Sequence, residues 1–289
     1  MNLFDELVDE AVKNRQDLSS LRTVVEKELL HHDILRILSD TNLLANLTFI
    51  GGTCLRLCYG AERLSEDLDF TGGADFTREK LAGMGNILVD TLGTKYGLPV
   101  EITPPVREEK KVNTWKLKVI TRPKNKHMPS QRINIDICAI PSYQAKPMML
   151  QNPYGVEMGT SGLIIQAESR EEIFTDKIVS FALRRGRIKN RDLWDMVWLQ
   201  QRGIRPLFDL IQTKLDDHKC EKRHFMDILH RRQQALLSQE AANAFREEMH
   251  RFLPRDTISK TVINHAFWEF LVNLVNDLCY ELKKTLPNF

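Results

Sequence analysis

The chain has no apolar run approaching the roughly 20 residues that span a bilayer, and no membrane-spanning helix is expected from it. Its first residues, Met1-Asn2-Leu3-Phe4-Asp5-Glu6, are acidic and amphipathic. A targeting segment would instead place a basic region before an apolar stretch. Cysteine is sparse: Cys54, Cys58, Cys138, Cys220 and Cys279 are odd in number, and no second pair matches Cys54 and Cys58. That spacing argues against a disulfide framework or a zinc site, and for buried thiols in a reducing cytosol. The eight histidines are scattered, and neither Gly-x-Ser-x-Gly nor His-Glu-x-x-His occurs, which leaves nucleophilic hydrolases and zinc proteases without support. Repeats and low-complexity segments are missing as well, and a net charge of +2 selects no class of partner. What remains is a cytoplasmic globular chain of 289 residues and ordinary 42% hydrophobic content, long enough for one large domain or two small ones.

Against this plain background stands Ile50-Gly51-Gly52-Thr53, followed after thirteen residues by Asp67-Leu68-Asp69-Phe70. Apolar residues alternate with the two aspartates, the period of a strand with one face on a core. Asp67 and Asp69 therefore leave the same face, and Leu68 and Phe70 anchor the other. Asp-x-Asp alone also fits a solvated edge strand. Beside a glycine turn whose backbone can approach a phosphate, the pair suits Mg²⁺ and a nucleoside triphosphate.

The rest of the chain divides into α and β signals. The first ~45 residues read as helices, with Leu3, Leu7 and Val8, then Leu21, Val24, Val25, Leu29 and Leu30 at helical spacing. Leu47–Ile50 reads as a strand, Cys54–Tyr59 as a helix and Asp67–Phe70 as a second strand. A helix is expected from Thr77 to about Lys95. Segments 100–103, 112–121, 132–140 and 163–165 read as strands, and the chain beyond Arg170 as helix. A boundary falls near Gly203, giving an N-terminal α/β part over 1–203 and a helical part over 204–289.

The Gly-Gly-Thr turn and paired aspartates resemble the signature of the polymerase-β nucleotidyltransferase superfamily. The longer run Gly51-Gly52-Thr53-x-Leu55-Arg56-Leu57-x-Tyr59-Gly60-x-x-Arg63-x-Ser65-Glu66-Asp67-Leu68-Asp69 is similar to the AbiEii/AbiGii family of nucleotidyltransferase toxins of type IV toxin–antitoxin systems. The resemblance implies an α+β fold: a polymerase-β-like nucleotidyltransferase core, with a mixed sheet and flanking helices, followed by a C-terminal helical bundle. It implies a metal-dependent enzyme using Mg²⁺ or Mn²⁺ and an NTP. The nucleotide would go to an acceptor hydroxyl at the 3′ end of tRNA, with growth arrest as the outcome. A separately encoded antitoxin that need not bind the toxin is implied too. Two other readings stay open: transfer to a protein or small molecule, or a catalytically silent nucleotide- or RNA-binding protein.

In this frame Asp67 and Asp69 are metal ligands, and Gly51, Gly52, Thr53 and Ser65 are nucleotide-binding. Ser65 equally suits a role in closing the turn. Asp136, in Ile133-Asn134-Ile135-Asp136-Ile137, resembles the superfamily's third carboxylate, with a polar edge-strand aspartate as the alternative. Lys177 borders an apolar helical stripe of Phe174, Ile178, Phe181 and Ala182, where a lysine commonly snorkels. The resemblance gives it the triphosphate instead, and gives Asp192 an active-site role. Asp195 reads as the partner of a nearby Arg or Lys. Two basic stretches, nine Lys/Arg within 107–132 and the run Arg184-Arg185-x-Arg187-x-Lys189-x-Arg191, suit an RNA backbone, contacted by Arg184, Arg185 and Arg187, or a solvated face.

Overall fold

The computed structural model describes residues 2–105, 112–125, 127 and 129–285. Arg107, Lys110, Lys111 and Lys126 of the first basic stretch lie outside the described residues. The chain forms two compact units, Met1–Glu168 and Ser169–Phe289.

The first unit opens with α1 (Leu3–Asn14) and α2 (Arg22–Asp40). The Asn2 side chain caps α1 by accepting the Asp5 N–H, and Asp5 and Glu6 complement the dipole of its first turn. Strand β1 (Thr48–Ile50) runs directly into α3 (Gly51–Tyr59), which ends at Gly60 in the left-handed conformation. There follow β2 (Leu68–Thr71), α4 (Met84–Tyr96), β3 (Val100–Thr103), β4 (Val112–Val119), β5 (Gln131–Cys138), β6 (Ala145–Met149) and β7 (Ile164–Glu168). The seven strands form one mixed sheet in the order β3-β4-β5-β2-β1-β7-β6. Pairs β2–β5 and β1–β7 are parallel and the others antiparallel.

The sheet's two faces differ sharply. Leu68, Phe70, Trp115, Leu117, Ile133, Ile135 and Ile137 are buried on one of them, and rings of Phe49 and Phe70 meet 5.1 Å apart across β1 and β2. The intervening positions, Asp69, Thr114, Asn134 and Asp136, are half-buried, as expected where one face is packed and the other is wetter. Each apolar side chain taken from water here contributes on the order of 1.5–3 kcal/mol.

The second unit is helical: α5 (Arg170–Leu183), α6 (Asn190–Gln201), α7 (Ile211–Asp217), α8 (Lys222–Ala235), α9 (Gln239–Met249), α10 (Arg255–Lys260) and α11 (His265–Thr285). Ser169 caps α5 by accepting the Glu172 N–H at 3.1 Å, the serine half of a Ser-x-x-Glu capping box.

Three differences from the sequence reading have local causes. The expected helix over 77–95 is broken at Gly83, which sits at φ +86°; a 3₁₀ turn over Arg78–Leu81 precedes α4. Strand β6 is unexpected because Pro147 interrupts it. It lies at the sheet edge, where a missing N–H is tolerated. The units divide at 168/169 rather than near Gly203, because α5 and α6 pack with later helices. Leu207 N–H donates to Thr175 Oγ1 at 2.8 Å, Lys214 bonds Glu172 at 2.8 Å, and Asn190 bonds Glu248 at 3.0 Å.

Candidate active site

Asp69 sits in the middle of the first unit's sheet. Its register partner is Ile50 on one side and Asp136 on the other, so Asp69 and Asp136 stand side by side on one face. Asp67 lies just before β2, and its side-chain Oδ1 accepts the Asn134 backbone N–H at 3.0 Å, which ties it to β5. Asp69 and Asp136 are thus aligned on adjoining strands, with Asp67 tied to the second of them. Among the described residues their oxygens are not gathered within 4.8 Å of one another, as mutual repulsion of carboxylates favours. Half-exposed hard oxygen donors of this kind fit a Mg²⁺-type cation.

The glycine turn closes against this row. Gly51 has φ +76°, a conformation costly for any residue with a Cβ. A Cβ there would also lie 3.0 Å from Asp69 Oδ2. Thr53 is fully buried on α3, and its hydroxyl bonds Ser65 Oγ at 2.7 Å and the carbonyl of Asp67. Thr53 and Ser65 therefore spend these contacts inside the protein, holding the segment that delivers Asp67.

A support shell that the sequence reading missed lies on α2. Glu28 is fully buried; it accepts the Ser65 N–H at 2.9 Å, Arg56 Nε at 3.1 Å and the Tyr154 hydroxyl. Burial would raise its carboxyl, but Arg56, Tyr154 and the Ser65 N–H outweigh it and hold the group below the usual range. One turn on, His31 Nε2 donates to the Glu66 carbonyl at 3.1 Å, and Lys27 pairs with Glu66 at 2.8 Å. Residues 65, 66 and 67 are consequently each tied to α2 or α3. The visible signal was an acidic residue in the apolar stripe of Leu21, Val25 and Leu29 at helical spacing.

In the second unit, Lys177 is buried on α5, with Nζ 2.5 Å from Asp192 and 2.8 Å from Asp195, both on α6. Asp195 thus has the basic partner expected of it. Burial would raise Asp192, yet Lys177 first, then Lys189 and Arg184, hold its carboxyl well below the ordinary range. Arg184, Arg185 and Arg187 are exposed, with Arg184 3.6 Å from Asp192. Arg232 bonds the carbonyls of Arg184 and Gly186 at 2.5 and 2.7 Å, fixing the backbone between α5 and α6. Leu193, Trp194, Val197 and Trp198 are core.

The fold is similar to that of MenT4, a nucleotidyltransferase toxin from Mycobacterium tuberculosis H37Rv, at TM-score 0.58 and 16% identity, over 96% of this chain and 92% of that one. JHP933 from Helicobacter pylori is matched at TM-score 0.45 and 18% identity, over 91% of this chain and 93% of that one. No curated protein sequence matches. A mixed sheet that sets paired aspartates beside a glycine turn, followed by helices, is a nucleotidyltransferase fold. Residues 33–273 match the family of the nucleotidyl transferase AbiEii toxin of type IV toxin–antitoxin systems, and the chain belongs to that family. Among the described residues, no helix is long and apolar enough to cross a membrane.

Proposed function

We propose that this nucleotidyltransferase moves a nucleoside monophosphate from an NTP to the 3′-terminal hydroxyl of an RNA, tRNA above all, and that growth arrest follows in the cytoplasm. The observation that carries the reading is the placement of Asp69 beside Asp136, with Asp67 tied to β5 at Asn134. Asp67, Asp69 and Asp136 would hold Mg²⁺ or Mn²⁺. Such an ion supplies charge neutralisation at the α-phosphate and orientation of the attacking and leaving oxygens.

The chain's own residues do the rest. Gly51 and Gly52 let the start of α3 approach the triphosphate, where backbone N–H groups can face its oxygens. Thr53 and Ser65 keep the turn closed. Asp136 takes the proton of the attacking hydroxyl; the new P–O bond forms at the α-phosphorus, and pyrophosphate leaves. Lys177, oriented by Asp192 and Asp195, offsets charge on the departing pyrophosphate. Arg184, Arg185 and Arg187 contact the RNA backbone. The antitoxin expected of a type IV system is encoded separately and need not touch the toxin.

The experiment is incubation with α-labelled NTPs, Mg²⁺ and either total RNA or total protein. Label in tRNA supports the reading. Label in protein replaces it with transfer to a protein, and no label in any fraction overturns it.

A further inference from the structure

The register of β4 and β5 sorts the basic residues of the middle of the chain by face. Arg122, just past β4, is engaged internally: its guanidinium lies 2.5 Å from Glu26 and 3.4 Å from Asp5. Lys116, Lys118 and Arg132 have a different setting. Asp136 lies opposite Thr114, Asn134 opposite Lys116, and Arg132 opposite Lys118. Alternation along a strand puts all six on one face, and it is the face of Asp69, the register partner of Asp136. The other face at these positions holds the buried Trp115, Leu117, Ile133 and Ile135.

This open face is graded in charge. The row nearest β1 runs Asp69, Asp136, Thr114; the next runs Asp67, Asn134, Lys116; the third is Arg132 and Lys118. Same-face residues recur about every 6.6 Å along a strand, so Arg132 stands roughly 13 Å from Asp136. Lys116 and Arg132 are exposed, and among the described residues neither makes an ion pair. Lys118 is shared with Glu101 at 3.0 Å. None of these rows carries an aromatic side chain on this face.

We infer that the outer face of β4 and β5 is a backbone track for a single-stranded RNA acceptor, with Lys116 and Arg132 as its principal phosphate contacts. The inference rests on the proposed RNA acceptor and says where it lies. Cations beside the carboxylates hold the strand by its phosphates, and its terminal hydroxyl reaches the Asp69–Asp136 row. Without an aromatic platform the track does not stack bases, so it is indifferent to sequence. Its affinity is set by charge and falls with salt.

The test is fluorescence anisotropy of a labelled single-stranded oligoribonucleotide with the full chain between about 50 and 200 mM salt. Wild type is compared with Lys116→Glu/Arg132→Glu and with Arg255→Glu/Lys260→Glu, two exposed cations of the second unit whose reversal changes the net charge by the same amount. The double variant should bind at least about tenfold more weakly, with the log–log salt slope reduced by about 1.4, or 0.7 per lost contact. Arg255→Glu/Lys260→Glu should bind as wild type. Melting temperatures should match, since exposed side chains carry little stability. If the wild type binds RNA and the double variant binds equally with the same slope, the track is elsewhere and the RNA reading stands. Equal weakening by Arg255→Glu/Lys260→Glu reduces the effect to net charge and overturns the track. A wild type that binds no RNA, or labels only protein, overturns the RNA acceptor and the track with it.

Discussion

Gly51 and Asp69 are in such close apposition that a Cβ added to the glycine would stand 3.0 Å from the Asp69 carboxylate oxygen. The turn and the carboxylate occupy one site from two sides. Gly51→Ala meets both this contact and a φ of +76°. The conformation alone costs about 1–2 kcal/mol, or about 2–4 °C in Tm for each kcal/mol in a unit of this size. Transferase activity should fall further than stability, because the displaced group is Asp69. A Gly51→Ala protein with wild-type turnover would contradict this apposition.

The support shell on α2 makes a separate prediction. Glu28→Gln leaves Arg56 buried without its carboxylate, a loss on the order of 3–5 kcal/mol. Urea unfolding should show a large drop in midpoint. Glu28→Gln/Arg56→Met, which removes both charges, should recover much of it. An unaltered midpoint in the single variant would refute a structural role for the pair.

Lys177 is compensated by two carboxylates, Asp192 and Asp195. Lys177→Met should therefore destabilise by about 3–5 kcal/mol. Asp195→Asn, which leaves Asp192 to hold the ammonium, should cost less. NTP affinity by equilibrium dialysis, at a temperature where both variants are folded, isolates the triphosphate role. Affinity should fall in Lys177→Met and persist in Asp195→Asn. Retained affinity in Lys177→Met would confine the lysine to the ion cluster.

His31 and His32 give the chain a pH dependence. Both are fully buried, and burial pushes each imidazole from 6.5 down to about 4. The unfolded chain takes up protons near pH 6.5 that the folded chain refuses. Stability tied to these groups is full above about pH 6.5 and is lost as pH falls toward about 4, by at most about 1.4 kcal/mol per pH unit for each proton. Urea midpoints across this range should decline, and His31→Gln/His32→Gln should decline less steeply. Parallel curves for the two proteins would contradict the assignment.

Much of the site could be read along the chain because its signals are local. The strand period put Asp67 and Asp69 on one face, and the glycines stood next to a short apolar strand. The register that sets Asp136 beside Asp69 joins residues 67 positions apart, yet its alternation with Ile135 and Ile137 was already visible. Partner identity was not. Glu28 meets Ser65 and Tyr154, which lie 37 and 126 positions away. A helical stripe looks the same whichever neighbour covers it, and so α5 and α6 gave no hint that α7, α8 and α9 would be their partners. Thr53 read as a ligand contact because its burial depends on Ser65 and the Asp67 carbonyl coming back over α3.

Nucleotide transfer is assigned to Asp67, Asp69 and Asp136 on the open face of the sheet. Its most direct test is incorporation of label from an α-labelled NTP into tRNA by wild type, Asp67→Asn and Asp69→Asn, each first shown to melt as wild type. Wild type should label the 3′ end in the presence of Mg²⁺. Each variant should lose at least about a hundredfold in rate, the scale expected when one group stabilising transition-state charge is removed. Near-normal incorporation by both folded variants would show that these aspartates do not carry the reaction.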